Sequence, residues 1–230
     1  MEAIILAGGF GSRLKSVVNE VPKPMAPVQN RPFLDFIFAH LKNYNVKKVI
    51  LSVGYLHNII IDNYGNNYEG IDIEYAIEDQ PLGTGGAIKL SLSKITDKEA
   101  LIINGDSLFN INIDTFSAFF HQSDANVLLA LKQIDDVSRY GCVTIDDNNK
   151  ITAFHEKGRI SSNGIINGGI YLVRKNILDN YPDKFSFEKD FLEKNINNSI
   201  FGLTFDDDFI DIGIPEDYLK IQTWNLNYIK

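Results

Sequence analysis

The sequence predicts an α/β protein built on a doubly wound, mostly parallel but mixed sheet with helices on both faces. Segments typical of strands alternate with segments typical of helices through the first half of the chain. The first predicted strand runs directly into a glycine-rich turn. With 230 residues, of which 44% are hydrophobic and 23% charged, the chain is long enough to bury one sizeable core.

The first half of the chain alternates the two kinds of segment regularly. Apolar or alternating runs predict strands at residues 3–7, 48–53, 71–77 and 100–104. Helical spacing of apolar residues, or glycines that open a segment, predicts helices at 32–44, 57–64, 83–95 and 113–122. Ligands of such sheets lie beyond the carboxyl ends of the strands, so the candidate sites are residues 8–13, 78–86 and 105–106.

The second half is richer in strands. These are predicted at residues 127–134, 141–145, 151–155 and 165–173, with helices at 175–180, 187–195 and 215–228. No linker rich in glycine, proline or serine separates the halves. We therefore expect a single domain over residues 1–230, in which the half at 1–125 carries the three candidate sites and the half at 126–230 extends the sheet and covers a second ligand.

Composition excludes several classes of function. The net charge is −8, which argues against a nucleic-acid partner because a phosphate backbone demands a basic surface. No apolar run is long enough to cross a membrane, and no signal peptide is recognisable, so we expect a cytoplasmic protein. Cys142 is the only cysteine, and the four histidines lack the spacing of metal ligands and are expected to pack or to face solvent.

The turn after the first strand indicates a polyphosphate site. Residues 6–14 are Leu-Ala-Gly-Gly-Phe-Gly-Ser-Arg-Leu, and Pro22-Lys23-Pro24 follows. Glycines let backbone N–H groups form an anion-binding concavity, and Arg13 and Lys23 supply positive charge for phosphate oxygens. The turn is not a dinucleotide-binding fingerprint, because Leu14 stands where the third glycine belongs, and the chain has no Walker A sequence.

These two stretches resemble the signature of the sugar-1-phosphate nucleotidyltransferase family, which has a Rossmann-like fold. Residues 78–86, Glu-Asp-Gln-Pro-Leu-Gly-Thr-Gly-Gly, resemble the family's segment beside the nucleotide base. The resemblance implies that Arg13 and Lys23 are catalytic. It also implies that the nucleotide is bound by Leu6, Ala7, Gly8, Gly9, Gly11, Ser12, Arg13, Glu78, Gly83, Thr84, Asn104 and Gly105.

The same resemblance implies a metal site. Asp106 in Asn-Gly-Asp and Asp211 in the segment Phe209–Tyr218 match the two metal-binding aspartates of the family, although Ile214 replaces the usual threonine. The implied cofactor is Mg²⁺, a hard cation that takes one or two carboxylates together with phosphate oxygens and water. The two aspartates can share one ion only if the fold brings their strand ends together.

Strands of the second half resemble the sugar-phosphate site of the family. Tyr140 and Gly141 match its aromatic-glycine pair, and Glu156 and Lys157 match its Glu-Lys pair, here followed by Gly158 in place of proline. Asn167 matches an asparagine that contacts a sugar hydroxyl. The implied reaction joins a nucleoside triphosphate to a sugar 1-phosphate and releases pyrophosphate.

Glu78 favours guanine as the base. A carboxylate can accept the N1–H and 2-amino groups of guanine together, whereas thymine and uracil offer one N–H between two carbonyls. The opening of the chain is most similar to the branch of the family that acts on D-glycero-α-D-manno-heptose 1-phosphate, which implies GTP as partner, GDP-heptose as product and a role in surface polysaccharide synthesis. Residue chemistry alone does not choose this sugar.

Alternative functions remain open. Within the family, the substrates could be mannose 1-phosphate with GTP, or glucose 1-phosphate with a uridine or thymidine nucleotide. A non-catalytic sensor of sugar nucleotides would keep the fold but would not need Arg13, Lys23, Asp106 and Asp211. A nucleotide-binding dehydrogenase is a third class. A homodimer is compatible with the sequence, which does not specify an oligomeric state.

Overall fold

The computed structural model describes residues 1–9, 14, 17–18, 20–155 and 163–226. Its strands are β1 (Glu2–Leu6), β2 (Pro27–Val28), β3 (Arg31–Pro32), β4 (Lys48–Val53), β5 (Asn67–Tyr68), β6 (Ile71–Ile77), β7 (Glu99–Asn104), β8 (Ser107–Phe109), β9 (Val127–Ile134), β10 (Cys142–Ile145), β11 (Ile151–His155), β12 (Gly164–Arg174), β13 (Ile200–Phe205) and β14 (Phe209–Asp211). Its α-helices are α1 (Phe33–Lys42), α2 (His57–Tyr64), α3 (Gly83–Leu92), α4 (Ile113–Gln122) and α5 (Pro215–Ile221). No described helix combines the length and the hydropathy that a membrane span requires.

One mixed sheet of ten strands organises the described residues. Strand β1 lies between β7 and β4, and β6 pairs with β4 on the far side, all in parallel. Leu6 at the end of β1 is level with Asn104 of β7 and with Ser52 of β4. The carboxyl ends of these strands therefore form one edge, which is where parallel sheets bind ligands.

The second half continues the same sheet, as the sequence predicts. Strand β12 pairs antiparallel with β7, and β9, β10, β11 and β13 join around it. The register of β12 against β9 shifts between Asn167 and Tyr171. Such an irregularity bends a strand and redirects the side chains beside it.

Hydrophobic cores lie on both faces of the sheet. Successive strand residues point to opposite faces, so Ile4 packs in one core while its neighbours Ala3 and Ile5 pack in the other. Helices α1, α2, α4 and α5 cover the face of Ala3 and Ile5. Helix α3 and the segment after β12 cover the face of Ile4. This arrangement confirms the predicted α/β class with helices on both faces.

The segment after β12 differs from the prediction. Residues 175–180 form hydrogen-bonded turns rather than a helix, with Ile177 and Asp179 each donating to a carbonyl three residues back. Pro182 follows closely, and a proline disfavours helical backbone geometry in the residue directly before it. Residues 187–195 are helical as expected, but as a π-helix over Phe187–Leu192 and a 3₁₀ turn over Glu193–Asn195.

The carboxyl-terminal region also departs from the prediction. Helix α5 ends at Ile221 instead of continuing through the described residues that follow it. Strands β13 and β14 were not predicted. Strand β13 pairs parallel with β9, and β14 pairs antiparallel with β8, which carries the chain back to the edge where β7 ends.

Candidate active site

A cleft of about 850 Å³ opens at the carboxyl ends of β1, β4, β6 and β7. Most of the described residues expected at the nucleotide and metal sites line it. They are Leu6, Ala7, Gly8, Gly9, Lys23, Glu78, Gly83, Thr84, Asn104 and Asp106. Gly11, Ser12 and Arg13 lie outside the described residues, as do Glu156 and Lys157.

Strand register places the polar residues of this cleft on one face of the sheet. Asn104, Leu6 and Ser52 are level with one another on adjacent strands. Gly8, Glu78 and Asp106 lie two positions beyond Leu6, Ala76 and Asn104, just past the ends of their strands. The register of the parallel strands therefore explains how three sequence segments meet in one site.

The glycines of the first turn allow close approach between strand ends. A Cβ atom on Gly8 would lie 2.7 Å from Glu78 Oε1 and 3.3 Å from the backbone nitrogen of Gly54. A Cβ atom on Gly105 would lie 2.6 Å from the carbonyl oxygen of Leu6, to which the Gly105 N–H donates. A Cβ atom on Gly9 would meet no described protein atom within 4 Å. Only glycine at positions 8 and 105 therefore lets the strand ends pack this closely.

Lys23 is the cation at the centre of the predicted metal site. Its Nζ donates to Asp106 Oδ2 at 2.6 Å and lies 3.5 Å from Asp211 Oδ1. The lysine side chain is only 10% exposed. A short 3₁₀ turn over Lys23–Met25, flanked by Pro22, sets its position. The fold therefore brings together the two aspartates that are far apart in the sequence.

Pairing of β8 with β14 explains this convergence. Asp211 is opposite Ser107, the residue after Asp106, and the Ile212 N–H donates to the carbonyl of Asp106 at 3.0 Å. The Gly213 N–H donates to Asp211 Oδ1 at 2.6 Å, which orients that carboxylate. Since a Cβ atom on Gly213 would lie 2.7 Å from the same oxygen, only glycine fits there without displacement.

The donor set fits a single hard divalent cation. Two carboxylates already face one positive charge, and such a cation completes its shell with phosphate oxygens and water. Among the described residues, no cluster of three or more histidine, cysteine, aspartate or glutamate side chains could hold a metal by itself.

Glu78 is half-buried at the other end of the cleft. Burial raises the pKa of its carboxyl group, and the hydrogen bond from the Leu82 N–H to Oε2, at 2.9 Å, partly opposes this rise. Oε1 points toward Gly8. The carboxylate is thus held at the cleft wall, where it can accept hydrogen bonds from a ligand.

Thr84 has a structural partner that the sequence did not indicate. Its Oγ1 donates to Glu188 Oε2 at 2.7 Å and accepts from the Phe187 N–H at 2.9 Å. Cβ atoms on the next two residues, Gly85 and Gly86, would collide with the ring of Phe185 and with the backbone that precedes it. The glycines that open α3 therefore admit the segment before the π-helix, and this places Glu188 in the cleft lining.

The described members of the expected sugar-phosphate set, Tyr140, Gly141 and Asn167, lie outside this lining. Asn167 Nδ2 donates to the Tyr171 hydroxyl at 2.7 Å, and its Oδ1 accepts from the Gly169 N–H. The Tyr140 ring packs 6.0 Å from Phe209, in the strand that ends at Asp211. Gly141 lies next to the β10–β11 pair, close to the carbonyl of His155. Tyr140 is thus near the end of the cleft where the two aspartates meet, which is called the metal end below. Asn167 lies where the register of β12 against β9 shifts, and its side chain is held by its two hydrogen bonds.

Sequence reasoning missed several residues of the site. Tyr55, Leu56 and His57 follow β4, and Ile77 ends β6, and all four line the cleft. His57 was expected only to pack or to face solvent. The signal that could have found these residues is their position, because each lies at the carboxyl end of a parallel strand. Arg139 does not line the cleft, but it pairs with Asp217 and lies within electrostatic reach of Asp211.

The chain belongs to the nucleotidyl transferase family, whose model matches residues 2–227. It is 48% identical to a D-glycero-α-D-manno-heptose 1-phosphate guanylyltransferase of Aneurinibacillus thermoaerophilus over the full length of both chains. It is 46% identical to the Campylobacter jejuni protein of the same name, covering 95% of this chain and 97% of the other.

A solved structure shares the fold closely. The crystal structure of HddC from Yersinia pseudotuberculosis superposes with a TM-score of 0.87 at 39% identity, over 96% of this chain and 97% of HddC. A second structure of HddC, complexed with GMP-PN, gives a TM-score of 0.84. The family and the nucleotidyltransferase fold expected from the motifs are thereby confirmed.

Replacing Lys23 tests the central charge cluster. We expect Lys23→Met to lower the free energy of unfolding by about 1–3 kcal/mol, because two carboxylates then face each other without a cation. Added Mg²⁺ should restore part of the loss. Urea unfolding with and without Mg²⁺ measures both effects. Lys42→Met is the matched control, since it breaks an exposed pair with Glu69 and should change stability by less than about 0.5 kcal/mol. Equal losses in the two variants would show that Lys23 does not stabilise the pair of aspartates.

Replacing the two adjacent glycines separates packing from chain flexibility. Gly8→Ala should destabilise the protein by about 1–3 kcal/mol, because the added methyl group meets Glu78 and the backbone of Gly54. Gly9→Ala should stay within about 0.5 kcal/mol, because its methyl group meets no described protein atom. Denaturant unfolding of both variants is the measurement, and similar stabilities would show that Gly8 is not a packing requirement.

Proposed function

We propose that this protein is a guanylyltransferase that joins GTP to D-glycero-α-D-manno-heptose 1-phosphate, producing GDP-D-glycero-α-D-manno-heptose and pyrophosphate. The observation that carries the reaction class is the Lys23 ammonium group between Asp106 and Asp211, at the edge of a cleft large enough for a nucleotide. The choice of substrates rests on the two heptose 1-phosphate guanylyltransferases that match the whole chain.

The reaction needs positioning and charge stabilisation more than a base. An oxygen of the sugar phosphate is already anionic, so it attacks the α-phosphorus of GTP directly. The bond from that phosphorus to the bridging oxygen breaks, and pyrophosphate leaves. Charge develops on the phosphate oxygens in the transition state, and fixed positive groups stabilise it. Lys23, held in the cleft lining by the two aspartates, is proposed to contact these oxygens, and Arg13 is proposed to hold the leaving pyrophosphate.

Asp106 and Asp211 are proposed to hold a divalent cation, for which we propose Mg²⁺. When bound, the ion supplies positive charge to the phosphate oxygens. The β8–β14 pair and the Gly213 N–H position the two carboxylates, and the Lys23 ammonium group that pairs with them would move aside for the ion. Gly8, Gly9 and the turn that follows are proposed to cradle the phosphates through backbone N–H groups.

Glu78 is proposed to select guanine. Its carboxylate lines the cleft, and one of its oxygens already accepts the Leu82 N–H, so the other is oriented away from that bond. Guanine offers two adjacent donors on one edge, which a carboxylate accepts better than an amide does. The complex of HddC with GMP-PN supports a nucleotide of this kind.

The sugar phosphate is proposed to bind beside the metal end of the cleft. Tyr140 lies there through its packing on Phe209, and Gly141 follows it. Glu156 and Lys157 are proposed to contact the sugar hydroxyls and the phosphate, and Asn167 a hydroxyl. The proposed use of a nucleoside triphosphate as substrate supports the proposed cytoplasmic location. The homodimer remains a prediction.

Pyrophosphate release from a substrate panel tests the proposal. The purified protein is mixed with Mg²⁺, one of four nucleoside triphosphates and one of several sugar 1-phosphates, including the heptose and mannose forms. We expect release with GTP and the heptose 1-phosphate. Release with another pair would keep the reaction and replace the substrates. No release from folded protein with any pair would favour the non-catalytic sensor.

Replacing Glu78 tests how the base is selected. Glu78→Gln should lower kcat/KM for GTP relative to ATP by about tenfold, because one of the two acceptors becomes a donor. Asp79→Asn is the matched control, since Asp79 is a neighbouring carboxylate on the same cleft. The control should leave the GTP preference unchanged. An unchanged preference in Glu78→Gln would show that Glu78 does not contact the base.

A further inference from the structure

Two exposed apolar side chains lie on the wall of the cleft. Tyr55 is 43% exposed and Ile77 is 41% exposed. The other large hydrophobic residues that are exposed in the described part of the chain, Met1, Val17 and Leu219, do not line the cleft. A single exposed apolar residue is ordinary, but two on one wall of a binding cleft indicate a surface that a ligand covers.

Both residues are close to Glu78 along the backbone. Ile77 directly precedes it in the chain. The Glu78 N–H donates to the carbonyl of Val53 at 2.8 Å, so the end of β6 is fastened to the end of β4, and Tyr55 follows two residues later. A Cβ atom on the intervening Gly54 would lie 3.8 Å from Glu78 Cβ, within van der Waals contact. Successive residues of a strand point to opposite faces, so the Ile77 side chain leaves the backbone on the side opposite Glu78, and the apolar pair and the carboxylate line different parts of the same cleft.

The turn that carries Tyr55 is fixed by local contacts. The carbonyl of Gly54 accepts the His57 N–H at 3.2 Å and lies 2.9 Å from His57 Nδ1. Leu56 has a φ of 56°, in the left-handed region, which is uncommon for a bulky residue. A strained residue persists only where its surroundings determine it, and such residues are common at ligand sites.

We infer that Tyr55 and Ile77 form an apolar shelf that contacts the flat face of the nucleobase whose edge faces Glu78. This inference rests on the proposed function, because it takes the nucleotide as the occupant of the cleft. The two shelf residues and Glu78 line the same cleft. A base has polar edges and a flat, apolar face, so one subsite must supply both a hydrogen-bonding group and an apolar surface.

The shelf and Glu78 have separable effects on binding. Stacking on an aromatic ring depends little on which base is bound, because every base has a π-face. Tyr55 should therefore contribute affinity for any purine nucleotide, and Glu78 should contribute the choice among them. We expect the Tyr55 ring to make the contact with the base, and its hydroxyl group to contribute little to nucleotide affinity.

Calorimetric titration with GTP and with ITP, which lacks the 2-amino group, tests the shelf. Tyr55→Ala should weaken binding of both nucleotides by about tenfold and leave their ratio unchanged. Tyr55→Phe should bind as the wild type does, and Ile77→Ala should lose about threefold. Glu78→Gln should instead reduce the preference for GTP over ITP. Leu219→Ala, which removes an exposed apolar side chain from α5, is the control and should change neither affinity.

Each result decides the inference. Unchanged affinity in Tyr55→Ala overturns it, as does a loss in Tyr55→Phe equal to that in Tyr55→Ala, which would assign the contact to the hydroxyl group. Equal losses in Leu219→Ala and Tyr55→Ala also overturn it. If the wild type prefers a different nucleoside triphosphate, the guanine selection of the proposed function fails, and the same comparison with that nucleotide judges the shelf. If the folded wild type binds none, both proposals fall.

Discussion

The meeting of Lys23 with Asp106 and Asp211 is the interaction on which the geometry of the site depends. Two carboxylates at the ends of different strands repel each other unless a cation lies between them, and Lys23 supplies that cation at 2.6 Å and 3.5 Å. Several features of the fold serve this contact. The β8–β14 pair aligns the aspartates, and the glycines at positions 105 and 213 leave room where a Cβ atom would collide with Leu6 or with Asp211. The same charge arrangement is the proposed binding place of a triphosphate and its metal ion in a protein whose net charge is −8.

Contacts between the two halves of the chain build the cleft. Asp106 belongs to the first half and Asp211 to the second, and the Ile212 N–H joins them through the carbonyl of Asp106. At the other side of the cleft, Thr84 of α3 binds Glu188 and the Phe187 N–H. Motif resemblance assigned this stretch of α3 to the nucleotide. The structure adds a packing role, since the glycines there admit residues 183–187. A residue of the second half, Glu188, thereby reaches the cleft at the carboxyl ends of the parallel strands.

The sequence predicted elements well where a local pattern determines them. The bounds of β4, β6 and β9 agree with the alternation or apolar runs in the sequence, and those of α2 and α4 with helical spacing. The prediction failed where tertiary contacts determine the backbone conformation. Strand β14 has three residues and no periodicity of its own, so only its pairing with β8 makes it a strand. Residues 175–180 have no helical pattern of apolar residues, since Ile177 and Leu178 are adjacent, and Pro182 restricts the backbone just after them.

The same distinction applies to the site. Short motifs with unusual residue types, such as Pro-Lys-Pro or Asn-Gly-Asp, marked residues that the structure brings to one edge, because phosphate and metal chemistry restricts which side chains can serve. Tyr55 and Ile77 carried no such mark, since an isolated tyrosine or isoleucine at a strand end is ordinary in sequence. Their exposure became informative only when the register of the parallel strands placed them beside Glu78. Apolar parts of a binding site therefore need the fold to be recognised, whereas its charged parts can be predicted from composition and order along the chain.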